Sequence, residues 1–147
     1  MIHRFRTTGK ERRLLKGLPA SPVTQKLEQR NYQDAIVKKP WGYEYLVFEN
    51  EHVAIWMLHI ARTRMTSMHA HVNKKTSLVL FSGSACFSTF QGERMLDPLD
   101  SVVIDEGVFH STKAHSALPI EPLCESGIWV MEIESPPAKA DLVRVKD

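Results

Sequence analysis

At 147 residues, with 43% apolar and 24% charged side chains, the chain has the size and composition of one soluble globular domain. Its net charge of +2 hides an asymmetry, because residues 1–39 carry +7 and residues 40–147 carry −5. No apolar run approaches membrane-spanning length, the start lacks the apolar core of a secretory signal, and the two cysteines form no disulfide framework or metal-binding pair. A cytoplasmic protein with no membrane partner is expected.

Residues 1–20 are polar and basic with little periodicity and read as loosely ordered. A basic arm can bind nucleic acid, but this one lacks interleaved aromatics and any DNA-binding motif, so no nucleic-acid partner is expected. Ser21 and Pro22 read as an N-cap followed by proline at the first helical position, opening a short helix over 22–32. The spacing predicts a basic N-terminal extension over 1–37 and one folded domain over 38–147. From Trp41 onward aromatic and branched residues dominate, and strands are predicted over 41–48, 52–60, 76–81, 85–90, 101–104, 108–112 and 128–134. Turn residues separate them at Glu49 and Asn50, Ser82 and Gly83, Gln91 and Gly92, Asp97 and Pro98, Glu106 and Gly107, and Ser126 and Gly127. Short, evenly spaced strands with almost no helical period predict an antiparallel barrel or sandwich. Cys86 and Cys124 read as small buried apolar residues. In 52–60, Val53, Ile55, Met57 and His59 share one face while Ala54, Trp56, Leu58 and Ile60 share the other. His59 could thus look into a barrel pocket, or be a satisfied structural histidine.

Chemistry concentrates at three histidines. His69 and His71 are one residue apart and, in an extended strand, point to the same side. His110 follows the turn at Glu106 and Gly107. Imidazole is the commonest side-chain ligand of borderline divalent metals, and three nitrogens leave coordination positions open, the mark of a working metal. Three unrelated surface histidines are the alternative.

These residues resemble the cupin superfamily, jelly-roll double-stranded β-helix barrels that hold a metal. In its first motif His69, His71 and Gly83 take the histidine and closing-glycine places, while Thr63 stands at the first glycine and Thr76 at the glutamate. In the second, Gly107 and His110 match, while Leu99, Asp105 and Ala114 replace a glycine, a proline and an asparagine. The stretch from Lys39 to Glu44 (Lys-Pro-Trp-Gly-Tyr-Glu) is similar to the opening of the cupin domain in type II phosphomannose isomerase and mannose-1-phosphate guanylyltransferase proteins. The stretches from Glu132 to Pro137 and from Asp141 to Arg144 are similar to its end.

The resemblance implies an all-β cupin barrel, one divalent metal ion (Fe, Zn, Mn or Ni) on His69, His71 and His110, a small-molecule substrate, and a homodimer. It also implies carbohydrate or surface-polysaccharide metabolism. With Thr76 at the glutamate place, the metal would keep its full charge and act as a stronger Lewis acid, as in the three-histidine thiol dioxygenases of this fold. Equally, metal binding could be weakened, or Asp105 or Glu106 could supply the carboxylate. Arg64, Lys74 and Lys75 are the candidate substrate cations, against the alternative of a solvated loop. Glu44, His59 and Glu132 are the candidate bases. Three functions compete: isomerase- or epimerase-type chemistry on a sugar or sugar phosphate, an iron-dependent dioxygenase, and a non-catalytic sugar-binding module.

Overall fold

A computed structural model describes residues 1–19, 36–115, 127–138 and 140–145. The helix expected over 22–32, and Cys124, lie outside these residues. In chain order the elements are β1 (Ile2–Phe5), α1 (Gly9–Leu15), β2 (Val37–Lys39), β3 (Gly42–Glu49), β4 (Ala54–Ile60), β5 (His69–Ala70) and β6 (Lys75–Ser82). After them come β7 (Ser84–Thr89), β8 (Gly92–Leu96), β9 (Ser101–Ile104), β10 (His110–His115), β11 (Ile128–Ser135) and β12 (Val143–Arg144). They form a seven-stranded sheet, in the order β1-β9-β6-β11-β4-β3-β2, and a five-stranded sheet, in the order β12-β5-β10-β7-β8. Among the described residues all pairings are antiparallel except that of β1 with β9, which is parallel.

Strand alternation builds the core between the sheets. Trp56, Leu58 and Ile60 of β4, with Leu78 and Leu80 of β6, meet Ala85 and Phe87 of β7 and Leu96 of β8 in one buried cluster. Trp56 and Phe87 are almost wholly buried, and truncating a residue of that kind to alanine costs about 3–5 kcal/mol. The other face of β4 turns outward, so of the two readings of His59 the barrel-pocket one, and with it a role as base in the pocket, is overturned and the structural one is kept. The set holding Trp56 offers the larger apolar area and takes the core, so His59 stacks between Tyr43 (4.9 Å) and Trp129 (4.9 Å) on the outer face.

The N-terminal segment is a second correction. Residues read as loosely ordered instead form β1, which adds to the sheet edge, and α1, opened by a Thr8–Glu11 capping box. Leu14 and Leu15 pack on a second cluster made of Ala70, Phe109 and Val143, so α1 covers the outer side of the five-stranded sheet.

The four glycine places of the two motifs share one backbone conformation. Gly83 and Gly107 have φ of 84° and 80°, and Thr63 and Leu99 keep φ of 62° and 70° without the glycine. The turns therefore form although two of the four positions carry a side chain, at a cost of roughly 1–2 kcal/mol each for a side chain held in the left-handed region.

Candidate metal centre

β5 and β10 bring the three histidines together. His69 lies directly opposite His110 in the antiparallel register, and His71 follows two residues after His69 on the same face. Ala70, between them, points the other way into the α1 cluster. The rings are 4.4 Å (His69 to His110), 5.0 Å (His69 to His71) and 5.5 Å (His71 to His110) apart by centroid. One ring nitrogen from each lies within 4.8 Å of the others, and among the described residues this is the group able to hold a metal ion.

Each ring is fixed through its other nitrogen. Nδ1 of His69 reaches the Ser67 carbonyl at 2.7 Å, Nδ1 of His71 the Asp141 carbonyl at 2.6 Å, and Nδ1 of His110 the Val108 carbonyl at 3.0 Å. A carbonyl only accepts, so each Nδ1 carries the proton and each Nε2 keeps a lone pair, the tautomer a metal ligand requires. Nε2 of His71 is buried with no hydrogen-bond partner among the described residues. A buried orphan of this kind is costly unless something coordinates it.

The electrostatics keep the rings neutral. Burial holds all three below the ordinary histidine range, His110 at about 4, and mutual repulsion adds to the effect at His69 and His71. The set fits a divalent metal, and His69, His71 and His110 are the residues that would hold it.

The remaining candidate residues are distributed unevenly. Glu132 is buried on β11, with Oε1 3.8 Å from Nε2 of His71, so its carboxyl faces the cluster from the opposite sheet. That separation exceeds hydrogen-bond reach, and a neutral His71 makes it no ion pair. Glu44 is buried beside Leu58 in the register, and its Oε1 pairs with Nζ of Lys39 at 3.2 Å. Lys74 is buried in an ion pair with Glu134 at 2.5 Å. Lys75 is exposed, with Nζ 3.9 Å from Asp105. Arg64 sits where its carbonyl accepts from Ala114, four residues along β10 from His110, or about 13 Å. Asp105 and Glu106 are not among the residues grouped with the histidines. Thr76 is buried with its hydroxyl unpartnered among the described residues.

Sequence reasoning missed Asp141, Glu11 and Arg144. Asp141 clamps the chain after His71, accepting from the amides of Val72 (3.1 Å) and Asn73 (2.6 Å) through its carboxylate. Buried Glu11 accepts from the amide of Phe109 at 3.0 Å, next to His110. Arg144 lies opposite His69 in the β12–β5 register. Only the Asp141 to Arg144 likeness pointed to any of them.

No family model and no curated protein matches the sequence. Solved structures do match in shape. KdgF from Halomonas sp. superposes with a TM-score of 0.62 at 15% identity, over 75% of this chain and 93% of that one. An RmlC-like cupin from Shewanella frigidimarina gives 0.59 at 15% identity, over 78% and 95%. A cupin-superfamily sugar phosphate isomerase from Silicibacter pomeroyi gives 0.52 at 11% identity, over 64% and 60%. At these identities the likeness is one of fold. Among the described residues, no helix is long and apolar enough to cross a membrane.

Proposed function

On a chain with the cupin double-stranded β-helix fold, we propose a metal-dependent protein that acts on a sugar or sugar phosphate by isomerase- or epimerase-type chemistry. The observation that carries this reading is the set of three neutral imidazoles, each anchored through Nδ1 on a backbone carbonyl and presenting Nε2 to a common point. A bound divalent ion would supply Lewis acidity toward a substrate oxygen.

The chain's own residues do the rest. Glu132, buried and facing the cluster, moves the proton between neighbouring substrate carbons, while the apolar walls from Phe87 and Trp56 exclude water. Glu132 faces the histidines from the opposite sheet while His59 lies on the outer face, so Glu132 is the base this reading uses. The sugar context is supported by the likeness of Lys39 to Glu44 and of the closing segment to phosphomannose isomerase cupins. One observation favours the dioxygenase reading: no carboxylate joins the three histidines among the described residues. A homodimer belongs to the same proposal, supported by the half-buried Tyr43, Met57, Trp129 and Met131 on the outer face of the seven-stranded sheet, and sedimentation velocity tests it.

The test is an NMR screen of phosphosugars with reconstituted protein beside Glu132→Gln. Isomerisation reduced at least about 100-fold in the variant supports the proposal. Oxygen uptake by the iron form would move the assignment to a dioxygenase, and substrate binding without turnover would leave a binding module.

A further inference from the structure

The cation best placed for a substrate is on the last described strand. In the five-stranded sheet a single cross-strand row runs Arg144, His69, His110, Thr89. Paired residues on adjacent strands leave the sheet on the same face, about 5 Å apart. The neighbouring pair fixes which face this is: Val143 is opposite Ala70, and both are buried in the α1 cluster on the outer side. The pleat therefore sends Arg144 to the side occupied by the histidines.

The side chain is also aimed. Nε donates to Oγ of Ser67 at 3.2 Å, and the Ser67 carbonyl accepts from His69 Nδ1, so one residue orients the guanidinium and the first ligand together. Ser67 is neutral, and no acid pairs with Arg144 among the described residues. The residue is exposed on β12, the edge strand beside His69. The other nearby cation is cancelled, since Lys74 is consumed by Glu134. Among the described residues Arg144 is thus the uncompensated positive group beside the histidines, and a planar fork of donors suits an oxyanion bound through two oxygens.

We propose that Arg144 binds the anionic group of the substrate, a phosphate or a carboxylate, at the rim of the three-histidine site. The substrate class is then an anionic small molecule whose charged group lies next to the atoms that the site handles. This rests on the small-molecule reading above and narrows it, and it gives Arg144 the role that the sequence suggested for Arg64 and the two lysines.

The experiment titrates inorganic phosphate and, separately, acetate into full-length protein by calorimetry, both metal-free and zinc-reconstituted, for wild type, Arg144→Gln and Arg144→Lys. Zinc content and the circular dichroism melt are recorded for each. Arg144→Gln is expected to weaken binding at least tenfold, with zinc content and melting unchanged, and Arg144→Lys to fall between because a point charge replaces the fork. Loss confined to phosphate identifies a phosphate group, and loss confined to acetate a carboxylate. Equal affinity in wild type and Arg144→Gln, or no binding of either anion to wild type, overturns the proposal. A wild type that takes up no zinc yet binds an anion through Arg144 would sink the metal reading and leave this site standing.

Discussion

Replacing Glu11 should damage both the fold and the candidate metal centre, although it lies 99 positions from His110. The carboxylate is wholly buried and accepts from the Thr8 amide at 2.8 Å, the Thr8 hydroxyl at 2.7 Å and the Phe109 amide at 3.0 Å. In Glu11→Ala the Phe109 amide loses its partner in a fully buried position, which costs about 1–3 kcal/mol. Loss of the capping box adds roughly 0.5–1 kcal/mol. The sum, about 3 kcal/mol, corresponds to a melting temperature lower by roughly 10 °C in a domain of this size. Phe109 precedes His110, whose ring is held by the Val108 carbonyl, so the same change loosens the third ligand. Outer partners of metal ligands typically contribute 10–100-fold in affinity. Thermal circular dichroism and chelator competition measure the two effects, with Glu11→Gln expected to fall between because its amide oxygen still accepts from Phe109. A Glu11→Ala protein that melts within about 2 °C of wild type and keeps its metal affinity would refute this reasoning.

Other outcomes follow from the same structure. The three histidines have folded pKa values below their unfolded value, so the unfolded chain takes up protons first and stability falls as pH drops below about 6.5. His110 alone, shifted to about 4, would contribute a loss on the order of 3 kcal/mol by pH 4, visible in urea melts of metal-free protein between pH 7.5 and 4.5. A flat profile there would contradict the burial. Lys74→Met leaves Glu134 charged and unpaired in the core and should cost about 3–5 kcal/mol, whereas adding Glu134→Leu should recover most of it in urea denaturation. Thr63→Gly relieves a branched side chain held at φ 62° and should raise the melting temperature by a few degrees, with metal content unchanged.

What the sequence revealed follows from the range of the interactions. Strand composition and turn residues are local, so the strands over 76–81 and 128–134 were readable, and the spacing of His69, His71 and His110 marked the histidine cluster; the nearly continuous apolar run of 76–81 did not reveal that β6 buries alternate residues and leaves Phe81 exposed. The turn glycines were readable in register too, and Thr63 and Leu99 keep the backbone of the residues they replace. The partnerships of single polar groups were not readable. Glu11 looks like any first-turn acid until its Phe109 partner, 98 residues away, comes into contact. Lys74 reads as a loop cation because Glu134 is 60 residues downstream. β1 was hidden for the same reason, since a four-residue basic strand is held by distant partners, β9 along the sheet edge and Phe87 against Phe5. His59 was ambiguous because both faces of β4 are apolar, and only packing decides which one enters the core.

The most direct test is elemental mass spectrometry of the purified, reconstituted protein beside His71→Ala. The structure gives His71 a buried Nε2 with no hydrogen-bond partner among the described residues and two further imidazoles within reach. Close to one divalent metal per chain is expected in wild type, with most of it lost in the variant. Wild type without metal after reconstitution, or equal metal in both proteins, would contradict it.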